Sequence, residues 1–198
     1  KETIPAMTTG PDSAAARRRN RRMLLALFAL FFGGMLLAGL LRFSGWRPEG
    51  SKNKGELLQP YGDLREYAPT LAAGGRYGWK DEPRIWRIVV MPRDCDAART
   101  AECTRLLADL DKVWRLMNKD ADRVHLLWAG AAPRGVALPR EVRLVRADDG
   151  LRAGLAGADA AGDAAWLIDP NGFVVLRYAP GFDPGDLRTD LARLLKIN

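Results

Sequence analysis

The sequence predicts an α/β domain following one N-terminal transmembrane helix. Three observations predict it: an uncharged apolar run near the start, strands and helices alternating after residue 84, and a strong hairpin signal near the end. The 198 residues are 47% apolar and 28% charged, enough to bury one core with an appendage but crowded for two domains. The net charge of +7 is unevenly spread. Residues 1–42 hold Lys1, Arg17, Arg18, Arg19, Arg21, Arg22 and Arg42 against Glu2 and Asp12, so +5 of the charge sits there and +2 remains for everything after it. A nearly neutral domain argues against a nucleic-acid partner, whose phosphates need basic residues gathered on one face.

Met23 to Leu41 carries no charged side chain, and at 1.5 Å per residue it reaches roughly 28 Å, close to the hydrocarbon thickness of a bilayer. Five arginines between residues 17 and 22 precede the run, and only Arg42 and Arg47 follow it closely. That asymmetry places the N-terminus in the cytoplasm and the C-terminal domain on the far side. A cleaved signal peptide is the competing reading. The run is longer than a signal core, however, and no small-x-small site closes it before Phe43-Ser44-Gly45-Trp46-Arg47, so an uncleaved anchor is expected. Residues 1–16 read as a disordered tail in which Met7 could be the native start. Gly34 and Ala38 form a small-xxx-small pair, common in any membrane helix.

The expected organisation is a basic tail over 1–22, the membrane helix over 23–42, an extended tether over 43–83 and the folded domain over 84–198. The tether follows from its breakers, among them Pro48, Gly50, Gly55, Pro60, Gly62, Pro69 and Pro83. Ile85 to Met91 is β-branched and aromatic and reads as a buried strand. Leu106, Leu107, Leu110, Val113, Trp114 and Met117 then repeat with the 3.6-residue period of a helix. Val124 to Trp128 and Val142 to Val145 read as strands, and Leu151 to Gly162 leaves room for a short helix. Two further strands, Ala165–Ile168 and Phe173–Tyr178, flank Asp169-Pro170-Asn171-Gly172, whose Asn-Gly pair takes the positive φ angles of a tight hairpin. Asp183 as N-cap and Pro184 at the first helical position open a last helix with Leu187, Leu191, Leu194 and Leu195 facing inward. This order fits a thioredoxin-like domain better than a dinucleotide-binding sheet, because no G-x-G-x-x-G follows the first strand.

The candidate site residues are Cys95 and Cys103, the chain's two cysteines, both between the first strand and the first long helix, where a helix N-terminus stabilises thiolate. Within one continuous helix their Cα atoms would lie roughly 12 Å apart, past the reach of a disulfide, so a bond requires the polar segment Asp94–Thr100 to fold back as a loop. A structural disulfide, a redox-active pair and a pair of metal thiolates or unpaired thiols all remain open. His125, the single histidine, reads as an ordinary strand residue. Asp94, Asp96, Asp148 and Asp149 read as solvated loop charge. No P-loop, nucleophile elbow or zinc spacing is present, so hydrolase and nucleotide chemistry lack support.

The basic stub, the single membrane helix, Trp46-Arg47-Pro48, the Asn-x-Gly-x-Leu-x-x-Pro run from Asn53 to Pro60, the closely spaced cysteines and Leu167-Ile168-Asp169-Pro170-Asn171-Gly172 resemble the small Sco/SenC-related thioredoxin-like membrane proteins associated with bacterial cytochrome c oxidase assembly. The resemblance implies an inner-membrane protein with a periplasmic domain, whose partners are a respiratory oxidase or its assembly factors. Sco-type proteins bind copper through Cys-x3-Cys and a histidine shortly before the Asp-Pro-x-Gly hairpin. This chain departs twice, with seven residues between its cysteines and Ala161-Gly162-Asp163 where that histidine is expected. His125 lies on another strand and does not replace it. The resulting expectation is an accessory or assembly factor working mainly by protein contact, with no cofactor required. Copper on Cys95 and Cys103, or thiol–disulfide exchange by the same pair, is the alternative.

Overall fold

The structure, a computed structural model, describes residues 12–44, 52–80, 84–155, 157–158 and 162–196. Met7, Trp46-Arg47-Pro48, Pro83 and Ala161 lie outside those residues. Two compact units divide at residue 50. The first contains helix α1, Asp12–Phe43, which takes in the arginine stub as well as the apolar run. Its apolar side chains are exposed throughout, Leu30 by 79% and Phe31 by 69%. By length and composition this helix can cross a membrane.

The second unit is built on a six-stranded sheet of order β1-β6-β5-β2-β3-β4. Its strands are β1 Glu56–Asp63, β2 Trp86–Met91, β3 Val124–Ala129, β4 Val142–Val145, β5 Ala164–Ile168 and β6 Phe173–Tyr178. β2, β3 and β4 run parallel, while β5, β6 and β1 are successively antiparallel. Helix α2, Thr100–Arg115, makes the β2–β3 crossover, α3 is the short Asp149–Gly154, and α4, Pro184–Leu194, closes the chain after the β5–β6 hairpin. The expected order of elements is present, as is the N-cap at Asp183, whose carboxylate accepts from Gly185 N–H. The hairpin turn is looser than an Asn-Gly pair suggests. Gly172 has φ +102° while Asn171 stays at negative φ, and the Asp169 carboxylate accepts from the N–H groups of Asn171 and Phe173.

Both faces of the sheet are covered, which is why all six residues of β2 are buried. Ile88, Val90, Leu126, Trp128, Leu167 and Leu176 face α2 and α4, meeting Leu107, Leu110, Leu187 and Leu191. Val89, Met91, Leu127, Trp166 and Val174 face α3 and the segment 64–79, meeting Leu64, Tyr77, Trp79 and Leu151. The tether expected over 43–83 is therefore corrected. Residues 56–63 are a sheet strand, Leu64 is fully buried, and Tyr77 and Trp79 retain 4% and 3% exposure. The sequence hid this because β1 is an irregular edge strand. It buries Leu58 alone, its register shifts between Leu57 and Gly62, and it tolerates Pro60 because an edge backbone needs no partner on one side.

A buried carboxylate ties the start of this unit to its end. Asp190 of α4 is 1% exposed and accepts hydrogen bonds from the N–H groups of Lys54 and Gly55 at 2.7 and 2.8 Å and from Tyr178 Oη at 2.9 Å. Gly55 must be glycine here, since a Cβ at that position would lie 2.7 Å from the Tyr178 ring.

Candidate functional site

β2 ends at Met91 and α2 does not begin until Thr100, so Cys95 lies in a loop and Cys103 one turn into the helix. The loop folds back. Asp96 Oδ1 accepts from the N–H groups of Ala98 and Arg99 at 3.0 and 3.1 Å, and Thr100 Oγ1 donates to Asp96 O at 2.8 Å. The reversal brings the two Cα atoms to 5.9 Å, and Cys95 and Cys103 are joined in a disulfide. Cys103 has no exposed surface and Cys95 only 5%, both within the cluster that holds Val90, Leu107 and Trp128.

The loop is fastened from the far side of the site by Asp163, which immediately precedes β5. Asp163 Oδ1 accepts from Arg93 N–H at 2.8 Å, and its Oδ2 pairs with Arg99 Nη2 at 2.7 Å. Arg99 Nε donates in turn to Glu102 Oε2 at 2.7 Å. These two carboxylates, Asp163 first, hold the guanidinium more firmly protonated than usual. Arg99 also occupies the N-cap of α2 but gives it no capping side chain, because a guanidinium has no acceptor to offer the helix N–H groups. Sequence reading took Asp163 only as a residue standing where a histidine was expected. Its partners are 64 and 70 residues away, a pairing that no local pattern announces.

The donor set does not fit copper. Both sulfurs are spent on one another, and Asp163, which fastens their loop, is engaged by Arg93 and Arg99. Among the described residues, no group of three or more His, Cys, Asp or Glu side chains is placed to hold a metal.

His125 belongs elsewhere. It pairs in register with Arg87 at the start of β3, while Cys95 follows the other end of β2. Tyr77 Oη lies 2.7 Å from its Nδ1 and Arg143 Nη2 lies 3.1 Å from its Nε2. Fully buried Arg87 completes the cluster, donating from Nε to Tyr77 Oη at 2.9 Å, from Nη2 to Trp79 O at 2.6 Å and from Nη1 to Ile85 O at 2.6 Å. This is a satisfied polar plug between the sheet and the 77–79 segment, as the ordinary reading of a strand histidine expects. The acidic loop residues are a correction. Asp96 organises the cysteine loop, and Asp148 caps α3 by accepting from Leu151 N–H at 3.0 Å while also bonding the Tyr67 hydroxyl. Neither is idle surface charge.

A family model described as "Transmembrane-like, thioredoxin-like, C-terminal domain" matches residues 86–198, more than half of the chain. The chain belongs to this family. No curated protein matches the chain. Among solved structures, this transmembrane-like, thioredoxin-like protein is similar to copper-bound ScoI of Arabidopsis thaliana, with 14% identity over 67% of this chain and 97% of that one and a TM-score of 0.45. Copper-bound ScoI of Bradyrhizobium japonicum is similar at 15% identity over 64% and 95%, TM-score 0.42. Peroxiredoxin Q of Xanthomonas campestris is similar at 19% identity over 73% and 97%, TM-score 0.41. The family match carries the fold; the chemistry has to be read from this chain's own residues.

Proposed function

We propose that this protein is a membrane-anchored accessory or assembly factor for a respiratory cytochrome c oxidase, acting by protein contact through a thioredoxin-like domain whose cysteine site is closed. The observation that carries the contact reading is the burial of both sulfurs in a disulfide, because a thiol-exchange or thiolate-metal site must present sulfur to its partner. The oxidase part rests on the resemblance to the Sco/SenC-related proteins. The exposed apolar surface of α1 supports the anchor, and the arginines at 17–22 support a cytoplasmic N-terminus with the domain outside, an oxidising side where a disulfide persists. An anchor raises the effective concentration of partners in the same membrane, so the domain needs little intrinsic affinity.

The test is replacement of both cysteines, Cys95→Ser and Cys103→Ser, in cells whose oxidase maturation is followed. Contact predicts normal maturation so long as the variant stays folded and abundant. Loss of maturation under those conditions sinks it. The second reading, a thiol–disulfide reductant or Cu(I) carrier, is favoured by the position of the pair at the β2–α2 junction. It requires the reduced full-length protein to bind Cu(I) stoichiometrically in a cysteine-dependent way, or to pass electrons to a disulfide substrate. A reporter fused after Asn198 tests the orientation: activity confined to the cytoplasm overturns it.

A further inference from the structure

We propose that Asp163 is the positioning residue that keeps the cysteine site shut: a carboxylate latch whose release opens the Cys95–Cys103 bond to attack by external thiolates. This rests on the closed-site reading above and names what closes it. Cys103 is held by the packing of α2 in the cluster with Leu107 and Leu110. Cys95 has no helix around it, so its burial depends on where the 93–99 loop lies. Arg93 N–H and the Arg99 guanidinium bracket that loop at its two ends, and both terminate on the one carboxylate.

The carboxylate is itself fixed. Gly162 sits at φ +117°, and a Cβ there would come 2.6 Å from the Pro180 side chain, so the turn ahead of Asp163 requires glycine. The Arg99 and Asp163 side chains are 26% and 21% exposed, intermediate burial that screens the pair less than open water does. Closure also has an opposing term. Arg99 Nη1 is buried with no hydrogen-bond partner, and moving the loop outwards would return it to water. Two charge-assisted bonds to Asp163 oppose that tendency, and without them the loop has a reason to lift.

The chemistry gated by the latch is ordinary exchange. The thiolate of an external dithiol attacks Sγ of Cys95, the more exposed of the two residues; the Cys95–Cys103 bond breaks, and Cys103 leaves as a thiolate that takes a proton from solvent. The reagent's second thiol then displaces Cys95, so the protein gains two electrons and two protons and the dithiol leaves as its disulfide.

The experiment uses the full chain in detergent micelles, with dithiothreitol as the probe and alkylation followed by mass measurement as the readout. Wild type, Asp163→Asn and Arg99→Gln are compared, together with Asp183→Ala, which weakens the α4 cap without touching the loop. Reduction faster by about tenfold in Asp163→Asn and faster to a smaller extent in Arg99→Gln, which also removes the buried Nη1, with Asp183→Ala at the wild-type rate, is the expected result. If Asp163→Asn does not fold, Arg99→Gln alone decides the question, since it leaves Asp163 bonded to Arg93. Equal slow rates in wild type and the latch variants overturn the latch and leave the closed site standing on core packing. Acceleration by Asp183→Ala as well means that global opening controls reduction, which also overturns it. A wild-type bond as labile as oxidised glutathione is a third, distinct result, and it sinks the closed-site reading itself.

Discussion

Asp190 shows how much one side chain can decide. Its carboxylate accepts three hydrogen bonds inside the fold, two of them from backbone N–H groups at the very start of the second unit, and Arg193 approaches it at 3.7 Å. Asp190→Ala orphans the two backbone donors and the Tyr178 hydroxyl together, so a loss of about 3 kcal/mol is expected in denaturant unfolding. A loss below about 1 kcal/mol would show that water replaces the carboxylate at no great cost. Tyr67 and Asp148 make a second pair with opposite effects at the two ends of the pH scale. Burial, then the bond to Asp148, raises the Tyr67 phenol from 10.0 to about 12. Burial works the other way on Asp148, but the Tyr67 hydroxyl and the N–H groups of Leu151 and Gly150 outweigh it and hold the carboxyl below 3.8. The raised phenol stabilises the fold below pH 10 and loses that contribution as pH climbs through about 12. The depressed carboxyl stabilises above pH 3.8 and loses its contribution as pH falls through the folded value. Tyr67→Phe therefore flattens both limbs of a melting-temperature profile, and a profile that keeps both limbs refutes the pairing.

At the scale of elements, sequence and structure agree best where one face of one element meets the core. The stripe in α2 lies on Cys103, Leu107, Leu110 and Val113, all buried, and α4 buries Leu187 and Leu191 behind its Asp183 cap. Both patterns were legible because a 3.6-residue period needs no knowledge of the partner. Asp183→Ala should cost about 1 kcal/mol by removing that cap, read as a fall in the urea midpoint. The disulfide spans a sequence separation of 8, and closing so short a loop in the unfolded chain is worth about 2–3 kcal/mol. The double serine variant should lose that amount while keeping its far-UV spectrum; an unchanged midpoint would mean that the loop is held by Asp163 and packing alone. That the cysteines bond at all was left open by their spacing, because the answer depends on Asp96 turning the chain back and on α2 starting at Thr100.

For the whole molecule, the sheet has two faces and the second is covered by residues that looked like a linker. Leu64, Tyr77 and Trp79 pack on Val89, Trp166 and Val174, and β1 protects β6 from solvent on its open side. A chain beginning at residue 84 should therefore expose that apolar face and aggregate or bind a hydrophobic dye, whereas one beginning at residue 52 should stay monomeric and cooperative in unfolding. Stable, cooperative folding of the shorter chain would show that the 64–79 segment is dispensable.

The sequence by itself determined the long apolar helix, the strands and helices after residue 84, the β5–β6 hairpin and the thioredoxin-like family, because each is written in a local period, a turn residue or an apolar length. Only the tertiary structure decided that residues 56–79 complete the domain, that Cys95 and Cys103 are bonded and buried, and that Asp163 fastens their loop. Those three are contacts between residues far apart in the chain, where the deciding energy lies in burial and charge pairing that no single segment carries.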